Sequence, residues 1–217
     1  PILVFSFFFK RNKNKPAFLI FFYCLYSLLN DFVRGFDIAT ILFPNIPNKD
    51  FLLLSTFTII EYIILASYLY ILLKTLILKR LLLVFSLVFL LVAIGNIIIG
   101  FRSNSLEFDT VPIAVSSIIL ISGSITYFFE SIQNPNITFI YSKSSFWVVV
   151  GIMIYFSGTF FLFLQYDNLS QQERANFWTI NLICFVLKNI FFSISFTLKP
   201  ENQQSLNVDD YYYNKLE

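Results

Sequence analysis

The 217 residues are 57% hydrophobic and only 13% charged, with a mean hydropathy of +0.74 and a net charge of +2. An ordinary soluble domain, in which about a quarter of residues are charged, is excluded, and so small a net charge leaves no basic field of the kind a nucleic-acid binder uses. The lack of histidine excludes His-ligated metals, Ser-His catalysis and histidine phosphorylation within these residues, while Cys24 and Cys184 stand singly in apolar runs, as small buried hydrophobes rather than a zinc or redox motif.

The expected fold is all-α, a polytopic transmembrane helix bundle over residues 1–200 with a polar tail at 201–217. Residues 1–9, PILVFSFFF, are apolar for only half a bilayer. Lys10, Arg11, Lys13 and Lys15 follow this run, whereas a signal peptide carries its basic residues before the apolar stretch. The segment therefore reads as the second half of a truncated first helix. The first complete span opens at Pro16, a residue suited to a first helical turn, and covers 16–36. A loop with Pro44 and Pro47 leads to the next span, 51–74, which carries Glu61 near its middle. Lys79 and Arg80 mark a tight turn before the span 81–101, and the polar stretch RSNSLEFD separates it from the span 110–129. That span is rich in Ser116, Ser117, Ser122, Gly123 and Ser124, small residues that favour close helix packing. After a polar loop from Glu130 to Ser145 come the spans 146–165 and 176–198, and Pro200 stops the last helix. Six full spans plus the truncated first make seven. The tail ends in DDYYYNKLE and contains nothing that would build a core.

Charge position sets the expected orientation. Lys10, Arg11, Lys13, Lys15, Lys74, Lys79, Arg80, Lys143, Lys199 and Lys215 fall on one side, Arg34, Lys49, Arg102 and Arg174 on the other, and Lys188 lies within a span. The richer side belongs in the cytoplasm, so the C-terminus is expected there and the protein in a cell inner membrane as a multi-pass component of the lipid bilayer. Trp147 and Trp178 fall at span ends, as interfacial anchors do.

The polar residues inside the spans are the candidate functional residues. Glu61 lies about 15 Å from the start of its helix and Lys188 about 16 Å into the last, both running in the same direction. An ionisable group at that depth costs about 2.5 to 3.5 kcal/mol and faces a protein interior or a water-filled cavity. An acid and a base at matched depth most simply neutralise each other, because removing either strands the other in hydrocarbon. Three readings stay open: a pair that fixes helix register, a switch or counter-ion to a ligand or proton, and Lys188 snorkelling alone. Toward the outside, Asp31, Arg34, Asn96 and Asn181, with Asn30 and Thr179, form a second polar group. These residues are expected to line a cavity open to the outside with Glu61 and Lys188 as its floor, although Asp31 and Arg34, three apart, can also pair with each other or meet headgroups. Gly151 and Gly158, seven apart, share a helix face on which another helix packs.

The segments Ile60-Glu61-Tyr62 and Ser67-Tyr68, then Phe146-Trp147, Gly151, Tyr155, Ser157-Gly158 and Phe160 to Phe163, then Lys188-Asn189 before a Phe-rich helix end, resemble a set of uncharacterised seven-helix inner-membrane proteins of Bacteroidetes-type bacteria. Similar membrane modules serve as input regions for sensor histidine kinases, so the resemblance implies a receptor-like role in signal transduction, with a cytoplasmic partner such as a histidine kinase. Unlike in a complete sensor, the polar residues 201–217 after Pro200 are not expected to form a kinase domain. The alternative is a small-solute or ion transporter or channel component, for which broken helices or internal repeats would be expected and are not seen. No enzymatic activity, cofactor, metal or nucleic acid is expected.

Overall fold

A computed structural model describes residues 1–9, 12, 15–36, 38, 48–103, 109–133 and 140–198. The expected loop residues at 39–47, the polar stretch at 104–108 and the tail at 201–217 lie outside the described residues. Seven α-helices are seen: α1 (Ile2–Phe7), α2 (Lys15–Gly35), α3 (Lys49–Leu72), α4 (Leu76–Ser103), α5 (Thr110–Ile132), α6 (Ser144–Gln165) and α7 (Gln171–Thr197). Six of them, α2 to α7, contain stretches long and apolar enough to cross a membrane. The chain is an integral membrane helix bundle. Helices suit that setting because each satisfies its backbone hydrogen bonds internally, where no water can do so.

Helices α2, α3, α5, α6 and α7 pack as consecutive neighbours, and the short α1 touches both α7 and α2. There Phe5 stacks on Phe21 with ring centroids 4.4 Å apart and meets Phe196 edge-on at 5.1 Å. Asn12 Nδ2 completes that corner by donating to the Phe196 carbonyl at 2.9 Å. Helix α4 stands outside this ring, against α3 and α5. Its apolar residues run all the way round, and Leu83, Leu87, Leu91 and Ile98 are all exposed, as expected of a face that meets lipid. It is anchored through Tyr62, whose ring packs at a tilt against Phe89 with centroids 4.0 Å apart and whose hydroxyl shares a 2.7 Å hydrogen bond with Ser86.

The helix ends differ from the expected ones where polar groups can be satisfied within a helix. The tight turn lies at 73–75 and not at Lys79 and Arg80, which ride in the first turns of α4. Two bonds hold it: the backbone N–H groups of Lys74 and Thr75 donate to Glu130 at 2.9 and 2.8 Å. Glu130 itself belongs to α5 rather than to a loop. The last helix starts at Gln171, before the expected 176, because Ser170 and Glu173 form a capping box that satisfies its first N–H groups.

Gly151 and Gly158 do form the seam between α6 and α7. A Cβ on Gly151 would stand 3.2 Å from the Lys188 carbonyl oxygen, and one on Gly158 would stand 2.6 Å from Cys184 Sγ. This close approach holds the backbone of α7 at Lys188 directly against α6.

Candidate functional site

Lys188 is fully buried, and its ammonium is enclosed by groups from three other helices. Nζ donates to Tyr23 Oη on α2 at 2.5 Å and to Glu61 Oε1 on α3 at 3.4 Å. It also lies 3.6 Å from the centroid of the Tyr155 ring on α6. A lysine ammonium has three N–H donors and no acceptor, so two hydrogen bonds and one ring face account for all of them. Tyr23 Oη in turn donates to Glu61 Oε1 at 2.6 Å. The result is a closed Lys188–Tyr23–Glu61 triangle, a neutral unit in a medium where either charge alone would be costly.

Both protein hydrogen bonds to Glu61 fall on Oε1, and its carboxylate borders a cavity of about 410 Å³. The periodicity of the helices places the rest of the lining. On α2, Tyr23, Ser27 and Asp31 are successive residues at spacing four, with Arg34 one turn further on; the last three line the cavity. On α7 the lining runs from Lys188 through Phe185 and Asn181 to Trp178, and on α3 from Glu61 through Thr58 to Leu54. Tyr155, Phe156 and Phe163 of α6, with Ile113 and Ser116 of α5, complete the walls.

Two polar atoms in this lining are buried without a hydrogen-bond partner, Ser27 Oγ and Asn181 Oδ1. Buried polar atoms are nearly always satisfied, so these two and the second Glu61 oxygen are points at which an occupant can bond. Below the triangle the interior is largely filled: Ile20, Ile152, Phe192 and Phe196 are buried with almost no exposed area, and the void beside Ile20 and Phe196 measures about 50 Å³. The cavity is therefore blind at the Lys188 end and runs toward the end of the bundle that carries Arg34.

Of the six residues singled out in the sequence, Glu61, Lys188, Asn181, Asp31 and Arg34 border one cavity. Asp31 and Arg34 are exposed at its rim, where the Arg34 charge acts on the Asp31 carboxylate without a direct hydrogen bond between the two described side chains. Asn96 is the exception. It sits on α4, outside the ring, and donates through Nδ2 to Asp109 Oδ1 at 2.6 Å. Matched depth in the membrane says nothing about which way a helix face is turned.

Sequence reasoning missed Tyr23 and Tyr155. Both look like ordinary core aromatics among twelve tyrosines. The available signal was the Tyr23–Ser27–Asp31 spacing, which aligns three polar groups along one face of an otherwise apolar helix. Among the described residues no cluster of three or more Cys, Asp or Glu side chains could hold a metal ion.

The fold and this centre define an integral membrane helix bundle with a charged, neutralised floor beneath a cavity of small-molecule size. No family model, curated protein or solved structure matches the chain.

Proposed function

We propose that the protein is a receptor-like sensor that takes a small molecule into the cavity above Glu61 and Lys188 and passes a helix shift to a cytoplasmic signalling partner such as a histidine kinase. The observation that supports this reading is a roomy cavity that ends blind on a charged centre shared by four helices. An occupant bonding to the second Glu61 oxygen competes with Lys188 and Tyr23 for the carboxylate, and so acts on α2, α3, α6 and α7 together. The unfilled bonding positions at Asn181 Oδ1 and the second Glu61 oxygen are acceptors, the Ser27 hydroxyl can accept as well as donate, and the walls are aromatic. The favoured ligand is accordingly an N–H donor with an apolar body, such as an aryl- or alkylamine. The largely filled interior below Lys188, with a void there of about 50 Å³ against about 410 Å³ above, favours binding over passage, and the resemblance to kinase input modules points the same way.

The test is a thermal-shift screen of the purified protein against small amines and neutral amino acids. At least one aryl- or alkylamine is expected to raise the unfolding midpoint by about 3 °C or more, as occupancy well above Kd requires. The shift is expected to vanish in Asn181→Leu and to persist in the surface variant Ser122→Ala. A panel that leaves the midpoint unmoved, or shifts both variants equally, would contradict the reading.

A further inference from the structure

A second polar cluster lies between α3, α4 and α5, and no part of the ligand reading depends on it. Asp109 precedes the first residue of α5, where an aspartate ordinarily caps the helix by accepting a backbone N–H. Here its side chain makes no capping bond. It turns inward instead, is 1% exposed, and accepts from Asn96 Nδ2 through Oδ1. Its other oxygen, Oδ2, is buried with no hydrogen-bond partner, and so is the hydroxyl of Ser55, also 1% exposed. Ser55 and Thr58, one turn apart on α3, are the hydroxyls close enough to act on the carboxylate. The Thr58 hydroxyl donates to the Leu54 carbonyl at 3.1 Å, so toward Asp109 it can offer only lone pairs.

Among the described side chains the cluster thus collects oxygens and lacks a positive charge. Among the described side chains, the charged groups on α3 and on its neighbour α2 toward this end are Lys49, Asp50 and, at mid-helix, Glu61 on α3, with Asp31 and Arg34 on α2, and none of them acts on Asp109. Burial outweighs the hydrogen bond from Asn96 and the pull of the nearby Thr58 and Ser55 side chains, and pushes the carboxyl up from 3.8 to about 6. A buried, unpaired carboxylate is costly, and two orphaned oxygens beside each other in one seam are costlier still.

The geometry points to a binding site for one monovalent cation, a proton or a sodium ion, formed by Asp109, Ser55, Thr58 and Asn96. A proton on Oδ2 turns that atom into a donor facing the Ser55 hydroxyl, which satisfies both orphans. A sodium ion uses the same two oxygens as ligands, with the Thr58 hydroxyl as a third. Either leaves the cluster neutral, whereas a divalent ion would leave a buried positive charge and has only one carboxylate to bind. Thr58 also lines the ligand cavity, so α3 carries both sites.

The sign of the proton effect follows from linkage. The folded carboxyl holds its proton to about 6 and the unfolded one only to about 3.8, so the folded state binds more protons between these values. Stability is greatest below that window, falls as pH rises through it, and is level above.

The experiment measures the unfolding midpoint of the full chain in detergent across that window, in choline chloride and in sodium chloride. If the cation is a proton, the midpoint falls as pH rises toward 6 in both salts; if it is sodium, sodium chloride at neutral pH also raises the midpoint above that in choline. Asp109→Asn, neutral at every pH, is expected to flatten both responses. Should that variant fail to fold, Ser55→Ala serves: losing one oxygen raises the sodium half-saturation by about tenfold or displaces the pH transition. Wild-type protein indifferent to both pH and sodium, or variants that respond as wild type does, would overturn the assignment.

Discussion

Lys188 contributes no charge to the outside of the protein, because every donor on its ammonium is used inside. Its hydrogen bonds to Tyr23 and Glu61 are what allow the carboxylate to remain in the interior. Truncating one partner of a buried pair leaves an uncompensated charge and costs about 3 to 5 kcal/mol, whereas replacing both by apolar groups is often neutral. Glu61→Gln and Lys188→Met are each expected to lower stability by that amount, and the double variant is expected to be more stable than either, as read from chemical unfolding in mixed micelles. A double variant no more stable than the singles would contradict the pairing. The acid and the amine were legible in the sequence because charge is rare in such apolar runs, and rarity at matched depth implies a partner. The tyrosines that complete the centre were not, because their apolar bodies fit a core equally well and only the fold shows where the hydroxyl points. Asn96 misled for the same reason: its partner, Asp109, lies in a different seam.

Between elements, the contact that sets the height of Lys188 is the glycine seam of α6 against α7. Gly158 admits Cys184 where a methyl group would stand 2.6 Å from the sulfur. Gly158→Ala is expected to destabilise the protein by about 1 to 3 kcal/mol, the usual cost of overpacking, and Cys184→Ala in the same chain is expected to recover most of the loss by removing the opposing sulfur. A fluorescence-detected melt of the two variants checks this, and no recovery would mean that the helices meet elsewhere. The shared face was legible from the seven-residue spacing of the two glycines. Helix ends were less so, because the capping box of Ser170 and Glu173 and the hold of Glu130 on the 73–75 turn place polar residues inside or at the edge of helices. A reading by hydropathy assigns those residues to loops.

At the scale of the whole molecule, the ring of α2, α3, α5, α6 and α7 encloses a polar centre while α4 presents apolar residues outward. The number and order of spans were legible because the length of an apolar run alone tests fitness to cross a bilayer. The ring was not, since nothing in α4 taken alone says that it stands outside. What the account asks of the assembled bundle is that an aqueous molecule can reach the floor of the cavity. Thiol accessibility measures this directly: with Cys24 and Cys184 replaced by alanine, single cysteines at Ser27, Asn181 and, as a packed reference, Ile152 are exposed to a small cationic thiosulfonate in reconstituted protein. The account predicts rapid modification at positions 27 and 181 and none at 152, which has no exposed area. Equal and negligible modification at all three would contradict it.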